Sequence, residues 1–136
     1  MDNSKTKKVL LVEDEKDLIF IYQQAFSTAG ITLLIAEDKL TALEIIKKEK
    51  PKIILLDLII PSSSESIVDF SQKEGFNLLE EAKEEIKEND IKVLVLSNLV
   101  SKEAIERSKE LGALDFIVKS KIIPDDLADK ILRLLI

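Results

Sequence analysis

Five polar side chains stand directly after short apolar runs: Glu13 and Asp14 after VLLV, Asp57 after IILL, Ser97 after VLVL, and Lys119 after FIV. If the runs are neighbouring strands, three carboxylates meet at one edge. Two unit charges about 4 Å apart repel by roughly 4 kcal/mol at an effective dielectric near 20. Such a cluster needs a cation. The chain has no histidine and no cysteine, so any metal site is built from oxygen, which favours a hard ion such as Mg²⁺ that keeps several of its waters. Lys119 can add positive charge from another side, and the Ser97 hydroxyl can donate to an anionic oxygen. The set suits phosphoryl transfer, with Asp57 as carboxylate nucleophile and a divalent ion, a lysine and a hydroxyl to hold the equatorial oxygens. Taken singly, each residue has an ordinary reading: Glu13 and Asp14 as a helix N-cap, Asp57 as a turn acceptor, Ser97 as a cap and Lys119 as a solvated charge. What favours chemistry is that all of them fall at strand exits.

The elements that must position these groups are legible from periodicity. The runs Val9 to Val12, Thr32 to Ala36, Ile53 to Leu56, Val93 to Leu96 and Phe116 to Val118 are short, apolar and mostly β-branched or leucine. Between and after them lie segments with helical spacing, marked by Leu18, Ile21, Tyr22, Ala25, Phe26 and Ala29, then Leu40, Leu43 and Ile46, then Leu78, Leu79, Ala82 and Ile86, then Ala104, Ile105, Ser108 and Leu111, and last Leu127, Ile131, Leu134 and Leu135. Gly30 and Gly112 stand where helices end in a left-handed residue, Pro51 closes the second helix, Ser101 suits an N-cap, and Pro124 suits a first helical turn. Apolar strands without alternation imply a parallel sheet covered on both faces. The expectation is an α/β fold, a flavodoxin-like doubly wound (βα)5 sandwich with strand order 2-1-3-4-5. Ligands of such sheets bind beyond the carboxyl ends of the strands, where the five polar residues fall.

Bulk properties bound the rest. A chain of 136 residues with 46% apolar content forms one ordinary domain. A net charge of -6 argues against a nucleic-acid or anionic-membrane binder. Without cysteine there is no disulfide, zinc-thiolate or thiol chemistry. No apolar run approaches the roughly 20 residues of a membrane span, so a soluble cytoplasmic protein is expected.

The stretches VLLVEDE (Val9 to Glu15), ILLDLIIP (Ile54 to Pro61), VLVLSN (Val93 to Asn98) and LGALDFIVKS (Leu111 to Ser120) together resemble the receiver domain of two-component response regulators. The resemblance covers essentially the whole chain, with residues 1–6 as a tail. It implies that Asp57 accepts a phosphoryl group from a phosphohistidine on a sensor histidine kinase or histidine phosphotransfer protein. It also implies that Asp14, Asp57 and the main-chain carbonyl of Ile59 coordinate Mg²⁺, with Glu13 acting through a water, while Ser97 and Lys119 hold phosphoryl oxygens. Phe116 matches the family's switch aromatic, which fills space vacated when Ser97 moves inward and so alters the surface of helix 4, strand 5 and helix 5. Such a domain catalyses only its own phosphorylation and dephosphorylation. As the chain ends after its fifth helix, output is expected through a downstream protein, a phosphorylation-dependent dimer or phosphate relay, with no direct contact to nucleic acid.

Three features depart from the family's pattern. Residues 62–74 form an extended loop between strand 3 and helix 3, so that Gly75 arrives late. Ser120 follows Lys119 where proline is usual, which bears on the customary cis peptide. Ile59 and Leu99 are apolar where many relatives are polar, and are expected to slow loss of the phosphoryl group by excluding water. The alternative reading is a receiver-like scaffold that works without phosphate. A haloacid-dehalogenase-like phosphatase would need a second acid at position 59, and a flavodoxin-type binder would not place Glu13, Asp14 and Glu15 against a phosphate.

Overall fold

A computed structural model describes residues 8–69 and 73–136. The elements run β1 (Lys8–Val12), α1 (Lys16–Thr28), β2 (Thr32–Ala36), α2 (Lys39–Glu49), β3 (Ile53–Leu56), α3 (Glu74–Glu81), α4 (Lys83–Glu88), β4 (Lys92–Ser97), α5 (Lys102–Glu110), β5 (Asp115–Val118) and α6 (Pro124–Leu135). The five strands form one sheet in the order β2-β1-β3-β4-β5, and every neighbouring pair is parallel. This is the flavodoxin-like sandwich that the apolar runs imply.

Strand alternation distributes the core to both faces. Val9 and Leu11, Ile53 and Leu55, and Leu94 and Leu96 pack with Tyr22 and Phe26 of α1 and Leu127 and Ile131 of α6. Leu10 and Val12, Ile54 and Leu56, and Val93 pack with Ala42 and Ile46 of α2 and Leu78 and Leu79 of α3. Because each face buries one set, a one-residue slip would exchange the two cores, and register is therefore firmly set. Fully burying one such side chain contributes about 1.5–3 kcal/mol, which is ample to fix the strand exits.

Helix ends follow local chemistry. Ser101 accepts the Ala104 N–H at 3.1 Å and Pro124 opens α6. Gly30 and Gly112 adopt left-handed φ of 77° and 95°. Lys50 does the same at 47°, because Pro51 beside it cannot continue α2. Asp38 is buried at the start of α2 and accepts both the Thr41 N–H (2.8 Å) and its hydroxyl (2.9 Å). The third helical segment, read as continuous from its spacing, is interrupted at Ala82, whose φ and ψ of -96° and 8° separate α3 from α4. No glycine or proline marks that break, and Ala82 keeps the apolar spacing because it is buried.

The tail 1–6 lies outside the described residues, as do residues 70–72 of the long loop. The loop's first part is anchored: Pro61 and Ser62 carbonyls accept the Lys39 and Leu40 N–H groups at 3.0 and 3.1 Å, satisfying donors that the start of α2 leaves open. Its far end returns at Gly75, whose N–H donates to the Leu58 carbonyl at 3.0 Å. Lys39 reinforces the junction through ion pairs with Glu74 (3.6 Å) and Glu81 (2.8 Å). Among the described residues no helix is long and apolar enough to cross a membrane.

Candidate functional site

Hydrogen bonds across the strand exits bring the acids together. The Glu13 N–H donates to the Ala36 carbonyl (2.9 Å) and the Asp57 N–H to the Val12 carbonyl (3.1 Å), extending the β2-β1-β3 ladder beyond the strands proper. Glu13, Asp14 and Asp57 each present a carboxylate oxygen, all within 4.8 Å of one another. Glu13 is buried at 1% exposure and Asp57 at 8%, whereas Asp14 is half-buried.

Each acid has a distinct environment. One oxygen of Glu13 accepts the N–H groups of Asp14 and Glu15, both at 3.1 Å, and the other accepts Lys119 Nζ at 2.5 Å. Asp57 Oδ1 accepts the Ile59 N–H and the Ser97 hydroxyl, both at 3.2 Å, while Oδ2 accepts Lys119 Nζ at 2.8 Å. Neither Glu13 nor Asp14 caps α1: its N-cap is Glu15, which makes no side-chain capping bond. The ordinary reading of the acidic pair is thereby excluded.

Electrostatics show the strain of the arrangement. Burial pushes the Glu13 carboxyl above the usual carboxylate range, Lys119 pulls it partly back, and the Asp57 charge adds to the rise. Burial also raises Asp14, and Asp57 again adds to it. For Lys119 burial works against the charged form, but Asp57 and Glu13 outweigh it and hold the ammonium well above the ordinary lysine value. One lysine thus faces three acids, and a divalent cation would supply the charge that is lacking. Carboxylate oxygens this close, with no nitrogen or sulfur ligand among them, fit a hard ion.

The remaining sequence-predicted residues fall around this centre. Ser97 is buried, and its oxygen also accepts the Leu99 N–H at 3.1 Å. Ile59 is half-buried and reaches Asp57 through its N–H. Phe116 is half-buried and packs with Phe76, Leu99 and Ala113 around Leu58, Val95 and Ala104, a small cluster separate from the two main cores. The Lys119–Ser120 peptide is trans, as no cis bond occurs among the described residues. Lys119 instead opens a short 3-10 turn, Lys119–Lys121.

Two contributors escaped sequence reasoning. Asn98 Oδ1 accepts the Ser120 N–H at 2.9 Å, tying the β4 exit to the β5 exit. No spacing rule signals a side chain that bonds the main chain of a residue on another loop. Gly75 stands late in the sequence pattern, and its place is dictated by space: a Cβ there would lie 2.7 Å from Leu58 Cα and 2.9 Å from the Asp57 carbonyl oxygen. The end of the long loop therefore closes against the backbone that carries Asp57.

A five-stranded doubly wound sheet with an acidic cluster, a hydroxyl and a lysine at its carboxyl edge defines a class of signalling domain. The chain matches the response regulator receiver domain over residues 9–132 and belongs to that family. It is 29% identical over 129 residues to sporulation initiation phosphotransferase F of Bacillus subtilis (strain 168), covering 95% of this chain and 94% of that protein. It is 31% identical over 120 residues to the probable transcriptional regulator ycf27 of Galdieria sulphuraria, covering 88% of this chain but only 42% of that protein. Among solved structures it is similar to a response regulator receiver domain protein (CheY-like) from Methanospirillum hungatei, with TM-score 0.77, 26% identity and coverage of 95% and 93%. The signal receiver domain of a LuxO repressor protein from Vibrio parahaemolyticus gives TM-score 0.76 and 26% identity, with coverage of 95% and 89%.

Proposed function

We propose that this chain takes a phosphoryl group onto Asp57 from the phosphohistidine of a sensor kinase or phosphotransfer protein. The observation that carries the reading is the double grip on Asp57, with Ser97 and the Ile59 N–H on one oxygen and Lys119 on the other, beside two further acids within 4.8 Å. In the transfer, an Asp57 oxygen attacks phosphorus as the bond to the donor imidazole nitrogen breaks; that nitrogen keeps the bonding electron pair, and the imidazole, already protonated on its other ring nitrogen, leaves neutral. Lys119 and the Ser97 hydroxyl then hold phosphoryl oxygens in place of the carboxylate oxygens they hold in the free protein. Glu13, Asp14, Asp57 and the Ile59 carbonyl would hold Mg²⁺, which when bound neutralises charge developing on the transferred group.

A phosphoryl group on Asp57 pulls Ser97 and Lys119 inward and so switches Phe116, a reading supported by the packing of that ring with Leu58, Val95 and Ala104. The surface that changes is that of α5, β5 and α6, through which a downstream protein or a second copy reads the phosphorylated state. The described part of the long loop borders a polar cleft that includes Asp14, with Ile67 90% exposed at its crest. A donor protein approaching Asp57 passes over this rim, which makes the loop part of the docking surface.

Treatment with phosphoramidate and Mg²⁺ tests the reading. Intact mass should rise by one phosphoryl group, and both Asp57→Ala and chelation of the metal should abolish the gain. A folded protein that never gains the mass is a scaffold that works without phosphate, and one that gains it equally in the variant carries the group on a residue other than Asp57.

A further inference from the structure

The structure closes a ring around Asp57. Its Oδ1 accepts from Ser97, which is covalently joined to Asn98; Asn98 Oδ1 accepts the Ser120 N–H; Ser120 is joined to Lys119; and Lys119 Nζ returns to Asp57 Oδ2. The Asn98–Ser120 bond is the one link in this ring that does not involve Asp57 or the covalent chain. It exists because residue 120 has an N–H, which proline would lack. It also satisfies a donor that the 3-10 turn at Lys119–Lys121 leaves open at its start. The flanking peptide is held as well, since the Leu99 N–H is bound to the Ser97 oxygen. A displacement of the Ser97 exit is therefore carried to the Lys119 exit.

We propose that Asn98 is a positioning residue that yokes the two loops, so that Ser97 and Lys119 move as one unit toward a phosphoryl group on Asp57. This deepens the phosphoryl-accepting reading and rests on it. Neither Asn98 nor Ser120 contacts the acids: both are exposed, and their bond lies at the surface behind the groups that do. Without the yoke each loop must be ordered separately when the phosphoryl group arrives, and binding weakens by the net worth of one neutral hydrogen bond, about two- to ten-fold in affinity.

The probe is beryllofluoride with Mg²⁺, followed by amide NMR, with Mg²⁺ alone measured separately by calorimetry. Asn98→Ala and Ser120→Pro should each weaken beryllofluoride binding about two- to ten-fold, and the double variant should be no weaker than the worse single one. Ser120→Ala, which keeps the main-chain donor, should bind more tightly than Ser120→Pro. Affinity for Mg²⁺ alone should not move, because the yoke does not touch the acids. In Asn98→Ala the Ser120 amide should also lose protection from hydrogen exchange. Unchanged beryllofluoride affinity in Asn98→Ala, fully additive effects in the double variant, or a parallel fall in Mg²⁺ affinity would overturn the yoke while leaving the phosphoryl-accepting reading intact. A parent protein that binds Mg²⁺ but no beryllofluoride overturns that reading, and the yoke falls with it.

Discussion

Asp14→Asn should make the metal-free protein more stable. Asp14 lies with Glu13 and Asp57 inside a 4.8 Å cluster, and the ion pairs of Lys119 go to Glu13 and Asp57. At that separation each like-charge pair costs about 3.5 kcal/mol at an effective dielectric of 20 and about 0.9 kcal/mol at 80. Asp14 is half-buried, so solvent screens it toward the lower figure, and the loss of its two pairs should stabilise the protein by roughly 1–2 kcal/mol. Its folded-state pKa is raised, first by burial and then by Asp57. The penalty is therefore full above that raised pKa and absent below the ordinary carboxylate value, and the advantage of the variant should vanish as pH falls through this window. The assay is urea unfolding in chelator at low salt, repeated across pH and then with Mg²⁺. At ten times its dissociation constant a ligand stabilises by about 1.4 kcal/mol, a gain the parent should show and the variant should largely lose. A variant that is no more stable than the parent in chelator at neutral pH would refute the claim that these acids repel one another across a shared site.

Three further outcomes follow from neighbouring features. Gly75→Ala places a Cβ against the backbone of Leu58 and Asp57, neither of which can yield as a side-chain tip could, so it should cost about 1–3 kcal/mol in urea unfolding and slow phosphoramidate labelling. Lys119 has a raised pKa, so its contribution to stability is complete below the ordinary lysine value near 10.4 and is lost as pH rises beyond it. Lys119→Met should therefore be less stable at neutral pH by roughly 2–3 kcal/mol and should show a flatter alkaline decline in thermal melts, and Mg²⁺ should recover part of the loss. Ile59→Asn should shorten the lifetime of the phosphorylated protein, measured by loss of label after donor removal, because it replaces an apolar neighbour of Asp57 with one that can orient water; an equal or longer lifetime rejects that shielding role.

The sheet was legible because its signal is thermodynamic and local. Strands such as Ile53–Leu56 and Val93–Leu96 are buried on both faces, so they read as unbroken apolar runs, and the polar residue ending each run marks the carboxyl edge of the sheet. Glu13, Asp57, Ser97 and Lys119 were recognisable for the same reason: a charge or hydroxyl directly after such a run must find a partner, and here they partner one another. The break at Ala82 was hidden because a buried alanine preserves helical spacing while its backbone departs from it. The attachment of Pro61 and Ser62 to α2 runs through main-chain groups, so side-chain identity gave no cue, and the Asn98 side chain meets the main chain of Ser120 on another loop, a pairing that no sequence spacing signals. Gly75 lies between these cases. Its residue type hinted at close approach, but which backbone it approaches became apparent only from the folded chain.

The role proposed for the Asp57 carboxylate is that of the nucleophile at this edge. Borohydride reduction of protein labelled with phosphoramidate and Mg²⁺ converts an aspartyl phosphate to homoserine, which peptide mass spectrometry locates by position. Homoserine at position 57 is the predicted result; homoserine at position 14 or 5-hydroxynorvaline at position 13 or 15 with position 57 unchanged, or no reduced residue in protein shown to bind Mg²⁺, contradicts it.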